Sequence, residues 1–134
     1  MKYRLMDLLA CPMCKTFPLK LIVFNRNIYK REFRGRKPVC ELYCSFLNKE
    51  IKDLKERGEE PPCEECFKYE VAEGILICPK CGRWYPIINE IPRMLPDEYR
   101  REKEDLEFLR KYKDHIPEEV LKRGLPYNLS SELK

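Results

Sequence analysis

The chain has 134 residues and a formal net charge of +4, with 43% hydrophobic and 37% charged side chains. That length suits one domain or one domain with an elaboration, the apolar share supports only a modest core, and so small a net charge does not by itself mark a nucleic-acid binder. No apolar run approaches the roughly 20 residues of a membrane span, and Asp7 interrupts the short apolar start that a signal peptide needs.

The expectation is therefore a cytoplasmic protein, in which closely spaced cysteines favour metal over disulfides. The sequence has no glutamine, eleven prolines and abundant Lys, Glu and Arg, a composition that fits a thermophile. Hyperthermophile interiors are the exception in which cytosolic disulfides persist. Charge is uneven along the chain. Residues 1–39 carry ten Lys/Arg against two acidic residues, whereas residues 40–73 carry five against ten. The basic run Lys30-Arg31-Glu32-Phe33-Arg34-Gly35-Arg36-Lys37 is suited either to RNA phosphates or to a solvated loop.

In chain order, Leu5, Leu8 and Leu9 give a short apolar face, which predicts a helical turn or two over residues 4–9. Cys11-Pro12-Met13-Cys14 follows. Residues 17–24 are β-rich, and Asn25-Arg26-Asn27 reads as a turn into a second strand over residues 28–33. Cys40, Cys44, Leu47, Ile51 and Leu54 recur at steps of three and four, predicting an amphipathic helix with both thiols on its buried face. Gly58-Glu59-Glu60-Pro61-Pro62 ends that helix, and Cys63-Glu64-Glu65-Cys66 comes next. A short strand over residues 74–77 leads into Cys78-Pro79-Lys80-Cys81. Residues 84–88 form another strand, and Asn89-Glu90 turns the chain toward Ile91-Pro92-Arg93-Met94-Leu95. Beyond Pro96-Asp97-Glu98, a helix start, the stripe Tyr99, Leu106, Leu109, Tyr112 and Ile116 predicts a helix that packs on the strands. Residues 126–134 read as a mobile tail.

The expected fold is α+β: a small zinc-ribbon-like sheet from residues 1–38 and 74–96, a helical cysteine-bearing insertion at 39–73, and a C-terminal helix and tail at 97–134. Two Cys-Pro-x-Cys turns supply the four ligands of a tetrahedral zinc, so Cys11, Cys14, Cys78 and Cys81 are the predicted metal ligands. A closed thiolate shell leaves no position for substrate, which makes the site structural. A rubredoxin-type iron centre uses the same knuckles. Cys40, Cys44, Cys63 and Cys66 are open to three readings: a second zinc site, two disulfides, or buried thiols acting as small apolar residues.

Catalytic constellations are missing. His115 is the single histidine, with no nucleophile near it in sequence, and there is no phosphate loop or dinucleotide fingerprint. Thioredoxin-like chemistry wants a Cys-x-x-Cys that opens a helix in an α/β setting, whereas these turns flank strands.

The opening Met1-Lys2-Tyr3-Arg4-Leu5-Met6-Asp7-Leu8-Leu9-Ala10-Cys11-Pro12 resembles the amino-terminal signature of the multifunctional methyltransferase subunit family, in the form of its archaeal-type members. Gly74-Ile75-Leu76-Ile77-Cys78-Pro79, Gly82-Arg83-Trp84-Tyr85-Pro86-Ile87 and Asn89-Glu90-Ile91-Pro92-Arg93-Met94-Leu95 resemble its carboxyl-terminal one. The resemblance covers residues 1–33 and 74–96. It implies a zinc-ribbon protein that is not an enzyme but an activator of S-adenosylmethionine-dependent methyltransferases, binding them as a heterodimer and keeping them soluble and active. Such clients modify tRNA, ribosomal RNA and a release factor, and RNA would be met through the complex. The apolar residues crowded after the second knuckle, Ile88, Ile91, Met94 and Leu95, are the expected partner-binding set, offering a strand edge for sheet extension. The alternative reading is a zinc ribbon that binds nucleic acid itself.

Overall fold

The computed structural model describes residues 1–31 and 39–132. The fold is α+β, organised around an antiparallel four-stranded sheet. Its strands are β1 (Lys20–Ile28), β4 (Tyr69–Ile77), β5 (Trp84–Ile88) and β6 (Ile91–Pro92), lying in that order. Between β1 and β4 the chain forms the two-stranded ribbon β2 (Tyr43–Cys44) and β3 (Lys49–Glu50), then the short helices α1 (Ile51–Glu56) and α2 (Cys63–Phe67). After β6 come a 3-10 turn at Asp97–Tyr99 and the helices α3 (Glu102–Lys111) and α4 (Glu118–Arg123).

Both faces of the sheet are covered, and the two-residue period of a strand decides which side chain goes where. Leu21, Val23, Val71, Leu76, Tyr85 and Ile87 point to one face, where they meet Met1 and, in the 3-10 turn Tyr3–Asp7 that follows it, Tyr3 and Met6, together with Cys11, Leu19 and Cys78. Ile22, Phe24, Ile75, Ile77, Trp84 and Ile88 point to the other, where Phe108, Leu109, Ile116, Val120, Leu121 and Leu129 close over them. Each face alone is too small for an independent core, so the C-terminal segment is a structural layer. The amino-terminal group of Met1 donates to the carbonyls of Val71 (2.8 Å) and Glu90 (2.6 Å), which anchors the first layer to the sheet.

Four expectations are corrected. The turn expected at Asn25-Arg26-Asn27 is strand: β1 runs unbroken to Ile28, and the register shifts around Asn25. The polar residues are tolerated because that end of β1 is an exposed edge, with Asn25 donating to Glu73. The continuous helix expected over residues 40–54 is also absent. Asn48, at φ 56°, reverses the chain between β2 and β3, and helix begins only at Ile51. Folding back still gathers Cys44, Ile51 and Leu54, with Cys40, Phe46 and Leu47, into one small cluster. The spacing thus predicted the contacts and not the conformation.

In the C-terminal layer Tyr99 is 64% exposed, and Phe108, which lies outside the predicted stripe, is buried in its place. Finally, residues 126–132 are not loose. Leu129 is 2% exposed, and the Tyr127 carbonyl accepts from Trp84 Nε1 at 2.9 Å. The basic run of residues 30–37 falls mostly outside the described residues. Two basic side chains described nearby are engaged within the fold: Arg26 lies 4.0 Å over the Tyr69 ring, and Arg31 pairs with Glu70 at 3.1 Å.

Candidate metal centre

The two Cys-Pro-x-Cys turns adopt the same backbone form. In the first, the Lys15 N–H donates to the Cys11 carbonyl (2.8 Å) and the Cys11 N–H to the Thr16 carbonyl (3.0 Å). In the second, the Gly82 N–H donates to the Cys78 carbonyl (3.1 Å) and the Cys78 N–H to the Arg83 carbonyl (2.8 Å). Both turns need a left-handed residue straight after the second cysteine, Lys15 at φ 66° and Gly82 at φ 78°. Glycine meets that demand freely in the second; in the first, lysine holds the less favourable conformation. Such turns leave their amides pointing inward, toward the sulfurs.

The register of β1 and β4 then brings the knuckles face to face. Cys11 and Cys81 sulfurs lie 3.7 Å apart and those of Cys14 and Cys78 3.4 Å apart, and all four fall within 4.8 Å of one another. A tetrahedral zinc with bonds of ~2.3 Å has sulfur–sulfur edges of roughly 3.8 Å. The donor set and its spacing therefore fit a single thiophilic ion, and the four cysteines could hold one. Cys11 and Cys78 are fully buried, and burial pushes the Cys78 thiol up to about 11. Hydrogen bonding with Thr16 brings Cys14 down to about 6. Burial opposes ionisation of Cys11, but hydrogen bonds from Tyr85 and from the Cys14 and Met13 amides outweigh it and lower its pKa.

Two residues beyond the cysteines complete the site. The Tyr85 hydroxyl lies 3.2 Å from Cys11 Sγ; burial, with that sulfur beside it, raises its own pKa. Arg83 is clamped by Asp97 through bonds of 2.9, 3.1 and 2.8 Å, and it also reaches the Cys81 sulfur. Groups of this kind orient ligands and tune their charge. No sequence signal marked either one, since both contacts depend on strand register.

Cys40, Cys44 and Cys66 are free thiols. Burial pushes Cys40 up to about 11 and Cys66 up to about 12, and neighbouring cysteines contribute to both shifts. The expected partner set is divided by the fold. Ile88 leans on the C-terminal layer and Met94 on the amino-terminal core, while Ile91 is 62% and Leu95 43% exposed beside β6, an edge strand. His115 is exposed, with its ring 5.8 Å from Phe24. No described helix is long and apolar enough to cross a membrane.

A family model described as Trm112p-like protein matches residues 2–90. Among solved structures, the chain is similar to one from the E. cuniculi Mtq2–Trm112 complex, described as responsible for methylation of the eRF1 translation termination factor. The identity is 24% and the TM-score 0.50, over 71% of this chain and 95% of the other. A probable cellulose synthase A catalytic subunit 9 from Arabidopsis thaliana is 33% identical over 93 residues, 63% of this chain. The chain spans about 8% of that relative's length.

Proposed function

The chain belongs to the Trm112p-like protein family, and from that premise we propose that it is a non-catalytic, zinc-bearing activator of S-adenosylmethionine-dependent methyltransferases that act on translation components. The match over residues 2–90 carries this reading, because it spans both knuckles and the strand after them. The similar solved chain comes from a complex with a methyltransferase, which supports the same class of partner. A closed four-sulfur shell gives the ion a folding role and no reaction position. In this reading zinc welds the two knuckles into a rigid platform, and the platform presents the β6 edge with Ile91 and Leu95 uncovered. A methyltransferase sheet docks along that edge and covers apolar surface that it would otherwise expose.

Each large apolar side chain buried in such a contact contributes about 1.5–3 kcal/mol, so a charge at either position should release the partner. Ile91→Asp and Leu95→Asp are expected to fold and keep one metal at the knuckles. They should fail to co-purify with a co-expressed methyltransferase from the same organism or to raise its methyl transfer. Full activation by both variants would show that the partner does not use this edge. A methyltransferase equally soluble and active without the chain would refute the activator role itself.

A further inference from the structure

Residues 39–68 form a piece that its own core does not hold. Cys44, Ile51 and Leu54 are its buried side chains, with Cys40, Phe46 and Leu47 half-buried around them. Ordering some thirty residues costs far more than three buried side chains contribute, and small modules of this kind are held by cross-links or metal. Asp7 receives the amides of Glu41, Leu42 and Tyr43 at 2.7–2.9 Å, and Phe46 packs between the Tyr3 and Tyr69 rings. Those contacts fix the start of the piece. Its return, through α1 and α2, carries Cys63 and Cys66 back toward Cys40 and Cys44.

The four cysteines lie in one neighbourhood without forming a four-sulfur cluster. Cys40 and Cys63 line the same cleft, together with Ile51 and Leu54. Cys40 packs against the buried Cys44 in the same small cluster as Ile51 and Leu54. Cys63 and Cys66 stand three residues apart on α2 and so share a helix face. Cys-x3-Cys and Cys-x2-Cys with residues 45–62 between them is a ligand spacing of structural zinc sites. We infer that Cys40, Cys44, Cys63 and Cys66 form a second metal site, a four-thiolate clasp that staples the insertion around a zinc-class ion. Four sulfur donors select a thiophilic ion over magnesium or calcium. Among the described residues, only the knuckle cysteines have all their sulfurs within 4.8 Å. The insertion clasp must therefore close on its ion, each thiol giving up its proton to solvent as it binds. Its affinity is accordingly lower than that of the preformed knuckle site.

The test is a metal count on the reduced, full-length chain, stripped with chelator and titrated anaerobically with cobalt(II) and then zinc. Native mass spectrometry reads stoichiometry, and the sulfur-to-cobalt charge-transfer band reads ligand type. The reduced chain should take up two ions, the second lost to a competing chelator at least tenfold more readily than the first. Cys63→Ser/Cys66→Ser and, separately, Cys40→Ser should each take up one tightly held ion and keep the knuckle cobalt spectrum. Saturation of the wild-type chain at one ion would overturn the proposal whatever the variants do. So would two ions in the double variant, or two disulfides among these cysteines in freshly purified protein.

Discussion

The knuckle cysteines and the insertion cysteines are the same chemistry on different scaffolds. Of the first four, Cys78 and Cys81 sit in the turn between β4 and β5, and Cys11 and Cys14 in a turn that precedes β1; the ladder and the two flanking cores behind them fix their separations. Of the second four, Cys44 sits on a two-residue strand, Cys63 and Cys66 on a five-residue helix, and Cys40 just before that strand in neither. The contrast teaches that ligand count does not set how tightly a site is formed; the area of sheet and core behind each ligand does. If the insertion cysteines close on an ion as proposed, that site is organised by what it binds, whereas the cluster carried by the main sheet is preorganised.

The largest break in this comparison comes from the knuckles themselves. Structural zinc in small domains contributes roughly 10–16 kcal/mol of folding free energy, so Cys78→Ser should abolish the cooperative melt of the sheet as well as one metal. Insertion variants should leave that melt in place. Differential scanning calorimetry with metal analysis reads both, and an unchanged melt in Cys78→Ser would remove the knuckle ion from its structural role.

A smaller effect tests whether the C-terminal layer supports the second knuckle. At Gly124 a Cβ would meet the Val120 carbonyl at 2.5 Å and Trp84 Cδ1 at 2.9 Å. Next to it, Leu125 accepts from the Trp84 N–H at 3.1 Å and donates to the Gly82 carbonyl at 3.1 Å. Gly124→Ala should destabilise the chain by about 1–3 kcal/mol through overpacking and speed chelator extraction of the knuckle metal. The insertion should be indifferent. Extraction at the wild-type rate would uncouple that layer from the site.

The smallest effect should fall on the insertion alone. Asp7→Asn keeps an acceptor but loses its charge, for a cost of about 0.5–1.5 kcal/mol. Amide exchange should quicken at residues 41–43 and not in β4. Burial works against the Asp7 carboxylate, but the three amides outweigh it and hold its pKa below the usual value. A carboxyl lowered on folding contributes stability that is full above its unfolded pKa, about 3.9, and is lost as pH falls through the lower folded value. Acid should therefore loosen residues 41–43 in the wild-type chain and change little in Asp7→Asn.

How much of this was legible in the sequence follows the same divide. The gathering of the knuckle cysteines could be read because their repeated spacing is itself the geometry. Residues 84–88 are strand as expected, and Asn89 and Glu90 turn at φ 51° and 68°, since local propensity and tertiary need agree there. Asn25, Arg26 and Asn27 misled because polar residues signal a turn unless an edge strand can leave them in water. Cys40 through Leu54 misled because a hairpin followed by a short helix can satisfy helical spacing. The contacts of Asp7, Tyr85 and Arg83 had no local signal. Each acts on groups brought to it by strand pairing, and that lies beyond any local pattern.

Cys14 and Cys78 stand 64 positions apart in the chain, yet the centre they share depends little on what is threaded between them. The entropy of closing such a loop rises only by about 0.6 kcal/mol for each doubling of its length. As long as β1 and β4 stay paired, the interval from residue 29 to residue 68 can lengthen, shorten or be exchanged for another module with little effect on the knuckles. The ribbon is thus an evolvable socket, free to acquire new surfaces at a place where the knuckle geometry scarcely registers them.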